Sequence, residues 1–204
     1  MTGFRRRKTR FVTDYSARVH ILFVCTGNVC RSVVAERLTV AYATEHGLGE
    51  LTAESAGTRA LVGYPVEPRA AAVIDGLGAC SDGFRARRLT ADIVGRADLV
   101  LTMTEEQRDR AAALAAGTAV KAFTLTEAHR IVTVTGADTI ARLDAYRAPS
   151  GGAGAPPIPD PVGLSERAFV ETGDRIAAAL LPLLDVLTGV GRDRCAPVPE
   201  VVHR

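Results

Sequence analysis

Cys25 and Arg31 stand with five residues between them in the segment Val24-Cys25-Thr26-Gly27-Asn28-Val29-Cys30-Arg31-Ser32, a thiol and a guanidinium around small and polar side chains. A thiol delivered to the start of a helix faces free N–H groups and the positive end of the helix dipole, which favours its nucleophilic thiolate form. Arg31 offers a planar fork of donors that matches two oxygens of a tetrahedral oxyanion such as a phosphoryl group. Thr26, Gly27, Asn28, Val29, Cys30 and Ser32 complete a loop that can curl around it. Gly27 permits backbone N–H groups to converge, Asn28 tolerates a left-handed conformation or ties the loop to itself, and Ser32 can donate to the sulfur. The implied chemistry is attack of sulfur on phosphorus, with Arg31 following the negative charge. The bare spacing carries little weight, because 23 of the 25 basic residues are Arg and the chain has four Cys. The residues in between carry it. An inert cysteine at a strand end is the commoner fate of a lone thiol, but it leaves Gly27, Asn28, Arg31 and Ser32 without a common task.

Such chemistry needs a proton donor for the leaving oxygen, and Ile158-Pro159-Asp160-Pro161 supplies one. The prolines stiffen the backbone around Asp160, so its carboxyl can be held over a pocket mouth. It would act first as general acid and then as general base toward the hydrolytic water. Alone, the Asp-Pro pair would read as an ordinary turn.

With these residues assembled, the chain resembles the low-molecular-weight protein-tyrosine phosphatase family over about residues 20 to 188. The resemblance rests on the Phe23–Ser32 segment, Ser55-Ala56-Gly57-Thr58, Arg85-Ala86-Arg87-Arg88-Leu89-Thr90, Ala97–Met103 and Asp160-Pro161, in the family's order. It implies Cys25 as nucleophile, Arg31 as phosphate ligand, Asp160 as general acid, Asn28 as loop organiser and Ser32 as thiolate donor. It also implies hydrolysis of phosphotyrosine through a phosphocysteine, without metal or cofactor, on a protein substrate such as an autophosphorylated tyrosine kinase.

The chain departs from the family at three places. Val162 stands where an aromatic residue usually follows the Asp-Pro pair, and Tyr64 is the candidate substitute wall. Val33 replaces the usual proline after Ser32, which costs helix pre-organisation but no chemistry. Residues 147–157 form a Gly/Pro-rich stretch that looks longer than the family needs. Cys30 reads either as a partner for a protective disulfide with Cys25 or as a small apolar residue under the loop. Arsenate reduction with an external small-molecule thiol is the rival activity. Met103 stands where disulfide-shuttling reductases of the related fold place a further cysteine. A non-catalytic phosphotyrosine-binding module is the lesser alternative, disfavoured by the presence of Cys25, Arg31 and Asp160 together.

The elements that must position these residues alternate along the chain. Strands are expected at His20–Val24, Leu51–Ser55, Asp98–Leu101 and Val120–Phe123. Helices are expected at Ser32–Glu45, Glu67–Leu77, Glu105–Ala115, Asp138–Tyr146 and Glu166–Leu187, with Pro182 kinking or ending the last. The pattern predicts a single α/β domain over residues 20–189, an open parallel sheet of about four strands with helices on both faces and the phosphate loop after the first strand. A chain of 204 residues, 47% hydrophobic, can bury a proper core.

Residues 1–19, with Arg5-Arg6-Arg7-Lys8, and residues 190–204 read as disordered tails. The basic arm could touch an acidic surface, but the net charge of +2 gives no global field, and no nucleic acid is expected as a partner. The sequence carries no evident signal peptide and no apolar run long enough to span a membrane. Cysteines at 25, 30, 80 and 195 show no metal or disulfide-framework spacing, so a reducing cytoplasm is expected, with secretion by a route lacking a signal peptide the exception.

Overall fold

The apolar run at the start of the domain forms β1, Val19–Cys25, fully buried from Ile21 onward. Its side chains alternate between two cores, with Ile21, Phe23 and Cys25 in one and Leu22 and Val24 in the other. The computed structural model describes residues 18–147 and 155–190. Among them, β2 (Leu51–Gly57), β3 (Leu99–Thr102) and β4 (Ala122–Thr124) complete a four-stranded parallel sheet of order β2-β1-β3-β4. Cys25 is in register with Gly57, and Val24 with Thr102, so three strand ends meet where the candidate nucleophile emerges.

Parallel pairing needs a crossover between successive strands, and helices supply it on both faces. On the face that Cys25 enters lie α1 (Arg31–Glu45), α2 (Pro68–Gly76), α5 (Leu125–Thr135), α6 (Ile140–Ala145) and the long α7 (Glu166–Thr188), sharing a core that includes Val33, Leu38, Ile74, Ile131, Ile176 and Leu180. On the other face, α3 (Ala91–Arg96) and α4 (Glu105–Leu114) bury Val94 and Ala111 against Leu22, Val24 and Val100. The single-domain α/β architecture read from the sequence is therefore the one observed.

Three local expectations are corrected. Helix α5 was not anticipated, because Leu125–Thr135 is rich in β-branched residues that lower helix propensity. Its start was legible all the same. Thr124 and Glu127 form a reciprocal capping box, and Leu125, Ala128, Ile131 and Val132 give one buried stripe. The strand expected at Val120–Phe123 begins instead as a 3-10 turn over Thr118–Lys121 and pairs only from Ala122. Finally, α7 passes through Pro182 without ending, which excludes the second of the two outcomes expected there, a kink or an end. The carbonyl that Pro182 cannot satisfy belongs to Ala178, on the exposed side of the helix where water can reach it.

Past α6, Arg147 fastens the chain before the acid segment. Its guanidinium donates to the carbonyls of Ala119 (2.8 Å) and Ala122 (2.7 Å) and lies over the Phe123 ring at 3.9 Å. The basic arm, most of the Gly/Pro stretch and the C-terminal tail with Cys195 lie outside the described residues. Among the described residues, no helix is long and apolar enough to cross a membrane.

Candidate active site

The loop between β1 and α1 is built around Asn28. It is the one non-glycine residue among the described residues with a positive φ, 56°, and it is fully buried. The left-handed position thus falls on Asn28 rather than on Gly27, and the Asn28 side chain compensates for it with hydrogen bonds. Its Nδ2 donates to the hydroxyls of Ser32 (3.1 Å) and Ser55 (2.8 Å), and its Oδ1 accepts from the Arg87 backbone N–H at 2.8 Å. Ser32 Oγ in turn lies 3.0 Å from Cys25 Sγ, and the Asn28 backbone N–H donates to the same sulfur at 3.3 Å. Because Ser32 Oγ already accepts from Asn28, its own proton is available to the sulfur.

The same chain continues inward to Glu36, whose carboxylate accepts from Ser55 Oγ. Burial pushes the Glu36 carboxyl above the ordinary carboxylate range, against the Ser55 hydrogen bond and the Arg37 and Arg87 guanidiniums, which pull it down. Folded Glu36 therefore holds its proton more tightly than the unfolded chain does. Ionising it opposes folding, with no penalty below the ordinary carboxylate range and the full penalty above the raised value. Glu36→Gln keeps an acceptor for Ser55 and removes the buried charge. It is expected to unfold at higher urea concentration than the parent at pH 7, and at the same concentration once pH falls below the ordinary carboxylate range.

Arg31 is 4% exposed and donates through Nη1 to the Ile158 carbonyl (3.1 Å) and through Nη2 to Asp160 Oδ2. Ile158 also donates its N–H to the Met103 carbonyl at the end of β3, at 3.0 Å. The acid segment is thus hooked to the sheet two residues before Asp160, whose side chain is 45% exposed and whose Oδ1 accepts from the Val162 N–H. Its far end is held by Arg69, which donates to the Leu164 carbonyl (2.7 Å), pairs with Glu67 (2.8 Å) and lies over the Phe169 ring. Glu67 closes the circuit by donating its N–H to the Val29 carbonyl.

Sequence reasoning grouped Cys25, Arg31 and Asp160; in the fold Arg31 pairs with Asp160, and Cys25 ends β1 at the start of the loop that leads to Arg31. Sequence reasoning missed the groups that hold the loop from outside. Gln107 bridges Thr26 Oγ1 (3.1 Å) and the Met103 N–H (3.0 Å), while Ser55, Glu36 and Arg87 back Asn28. Gly57 packs backbone to backbone against the loop. A Cβ there would lie 2.6 Å from the Thr26 carbonyl oxygen and 3.0 Å from Ala60 Cα, backbone on both sides. Gly57→Ala is expected to cost about 1–3 kcal/mol of stability and to reduce turnover by parting the loop from its support, measurable by urea unfolding and by kcat/KM.

Tyr64, the candidate wall, is 62% exposed, with its backbone paired to Ala86. Within the same loop, Leu61 donates its N–H to the Gly27 carbonyl of the phosphate loop, and its side chain is half exposed. With Val162 also exposed on the acid segment, the rim offers aliphatic side chains in these places. Cys30 sits in the apolar core beneath the loop, and burial, helped by the negative charges of Cys25 and Asp160, pushes its thiol up to about 12. That setting fits the packing role. Among the described residues, no group of three His, Cys, Asp or Glu side chains could hold a metal.

The family model described as "Low molecular weight phosphotyrosine protein phosphatase" matches residues 20–194. The chain belongs to this family. A curated relative, the probable low molecular weight protein-tyrosine-phosphatase EpsP of Ralstonia nicotianae, is 41% identical over 88 residues, 43% of this chain and 57% of that protein. The chain spans little more than half the length of the curated relatives it matches. Among solved structures, the tyrosine phosphatase AmsI of Erwinia amylovora matches at 25% identity with a TM-score of 0.62, covering 82% of this chain and 92% of that one. A variant of the arginine phosphatase YwlE, with a phosphorylated serine in its active site, matches at 28% identity with a TM-score of 0.67, covering 85% and 99%. All of these relatives are named as phosphatases.

Proposed function

We propose that the chain hydrolyses phosphotyrosine monoesters in a protein substrate, an autophosphorylated tyrosine kinase being one suitable kind, through a phosphocysteine on Cys25. The observation that carries this is the placement of a thiol between two donors, the Ser32 hydroxyl and the Asn28 N–H, one loop away from a buried guanidinium already paired with a carboxyl. In the first step Sγ bonds to phosphorus as the P–O bond to the ring breaks, and Asp160 gives its proton to the leaving oxygen. A phosphoryl group in the loop competes with Asp160 for Arg31, and a carboxyl released from that pair can turn to the leaving oxygen. In the second step water bonds to phosphorus, Asp160 takes its proton, and sulfur leaves as thiolate held by Ser32 and Asn28.

A second reading, hydrolysis of phosphoarginine, is supported by the likeness to YwlE and by the aliphatic Leu61 and Val162 at the rim. A reactive thiol in either enzyme suits a reducing compartment. The test is a rate comparison on peptides carrying phosphotyrosine, phosphoserine or phosphoarginine, with arsenate plus thiol as a further arm. Phosphotyrosine should be turned over fastest. Preference for phosphoarginine would move the assignment to the second reading, and turnover of arsenate alone would overturn both.

A further inference from the structure

A cleft lined by guanidinium groups opens beside the loop that supports the phosphate site. Thr58, Arg59 and Ala60 form one wall, Arg88 and Leu89 another, and Arg110 and Leu114 of α4 the third, around about 380 Å³. No acidic side chain lines it. Arg59 and Arg88 make no side-chain hydrogen bond or ion pair among the described residues, and Arg110 reaches only the exposed Glu106 on its own helix, at 4.0 Å. Elsewhere arginines such as Arg69, Arg87 and Arg142 each lie within 3 Å of a carboxylate. Three like charges gathered around one cleft, with the exposed Glu106 at 4.0 Å from Arg110 as their one ion-pair partner among the described residues, repel one another, and an anion would relieve that repulsion.

The cleft is continuous with the catalytic loop. Thr58 donates its N–H to the Cys25 carbonyl and Arg59 to the Thr26 carbonyl, each at 2.9 Å. On α4, Gln107, which holds Thr26, precedes Arg110 by three residues and so shares its helix face. With Thr58 and Arg59 of the cleft wall bonded directly to the catalytic loop, a few extended residues of a bound peptide, at about 3.3–3.6 Å each, would join the two places.

We propose that this cleft binds a second phosphoryl group on the same substrate chain, so that the enzyme selects segments phosphorylated at neighbouring positions. The inference rests on the phosphatase reading above. A phosphoryl group carries about −1.5 to −2 charges and three acceptor oxygens, a closer match to three guanidinium forks than the single charge and two oxygens of a carboxylate.

The test uses three peptides of one sequence, each with a hydrolysable phosphotyrosine. One has neutral flanks, one a non-hydrolysable phosphonate analogue of phosphotyrosine two or three residues away, and one glutamate at that place. The phosphonate peptide should exceed the neutral one in kcat/KM by about tenfold or more, chiefly through KM. Arg88→Ala with Arg110→Ala should abolish that advantage while leaving para-nitrophenyl phosphate turnover unchanged, and the paired lysine variant should restore part of it. Equal kcat/KM for the phosphonate and neutral peptides in the parent would overturn the proposal. So would an advantage that survives in the alanine variant, or a glutamate peptide as good as the phosphonate one. Failure to turn over para-nitrophenyl phosphate and every peptide would refute the phosphatase reading itself, and the proposal with it.

Discussion

Cys25→Ser is expected to lower para-nitrophenyl phosphate hydrolysis by roughly 10⁴-fold or more while leaving binding of inorganic phosphate close to that of the parent. The reason lies in what surrounds the sulfur. The Ser32 hydroxyl and the Asn28 N–H are donors, able to hold a thiolate but unable to take a proton from an alcohol. A hydroxyl at position 25 would therefore remain protonated and weakly nucleophilic. Arg31 and the loop backbone are untouched by the change, so the oxyanion should still bind. Steady-state rates and calorimetric titration with inorganic phosphate measure the two halves separately. Turnover equal to that of the parent would end the covalent mechanism, and loss of phosphate binding would place the anion elsewhere than on this loop.

Asp160→Asn should act on proton transfer and on anion binding in opposite directions. Hydrolysis of phenyl phosphate, whose leaving group needs a proton, is expected to fall by about 10²–10⁴-fold. An activated ester such as 2,4-dinitrophenyl phosphate should show a near-normal burst followed by slow turnover, because its first step needs no acid while the second still needs a base. Phosphorylated Cys25 should then accumulate and be visible by mass spectrometry of acid-quenched enzyme. Inorganic phosphate should at the same time bind more tightly, since the carboxylate that competes for Arg31 is gone. Equal losses on both esters, with no burst, would remove Asp160 from proton transfer.

The parts of this site that could be read in the sequence are those that lie next to one another along the chain. Cys25, Asn28, Arg31 and Ser32 fall within eight residues between a strand and a helix, and local rules of turns, dipoles and donors suffice to relate them. Asp160 was legible because prolines mark it on both sides. Gln107 was not, because it meets the loop only after β3 has paired beside β1, and nothing in its immediate sequence signals it; Gly57 was quoted within a motif, but its contact with Thr26 exists only once β2 has paired with β1. Arg87 was quoted only as part of a motif, since it supports Asn28 through a backbone N–H that any residue but proline would supply. Helix α5 was lost for a different reason. Its β-branched residues argue for strand by propensity, and the buried stripe and capping box that override them become decisive only when a sheet face is there to cover.

The acid segment is approached by a stretch whose two ends are both fixed. Arg147 is tied to Ala119, Ala122 and Phe123 before it, and Ile158 to Met103 and Arg31 after it. Closing a longer loop between fixed ends costs only about 0.6 kcal/mol for each doubling of its length. Insertions and deletions between residues 148 and 157 can therefore accumulate by drift without disturbing where the proton donor sits, because the register is reset at Ile158. Natural variants of this enzyme should differ freely in length there and hardly at all between Ile158 and Leu164, so that evolutionary novelty enters on one side of the anchor and chemistry stays on the other.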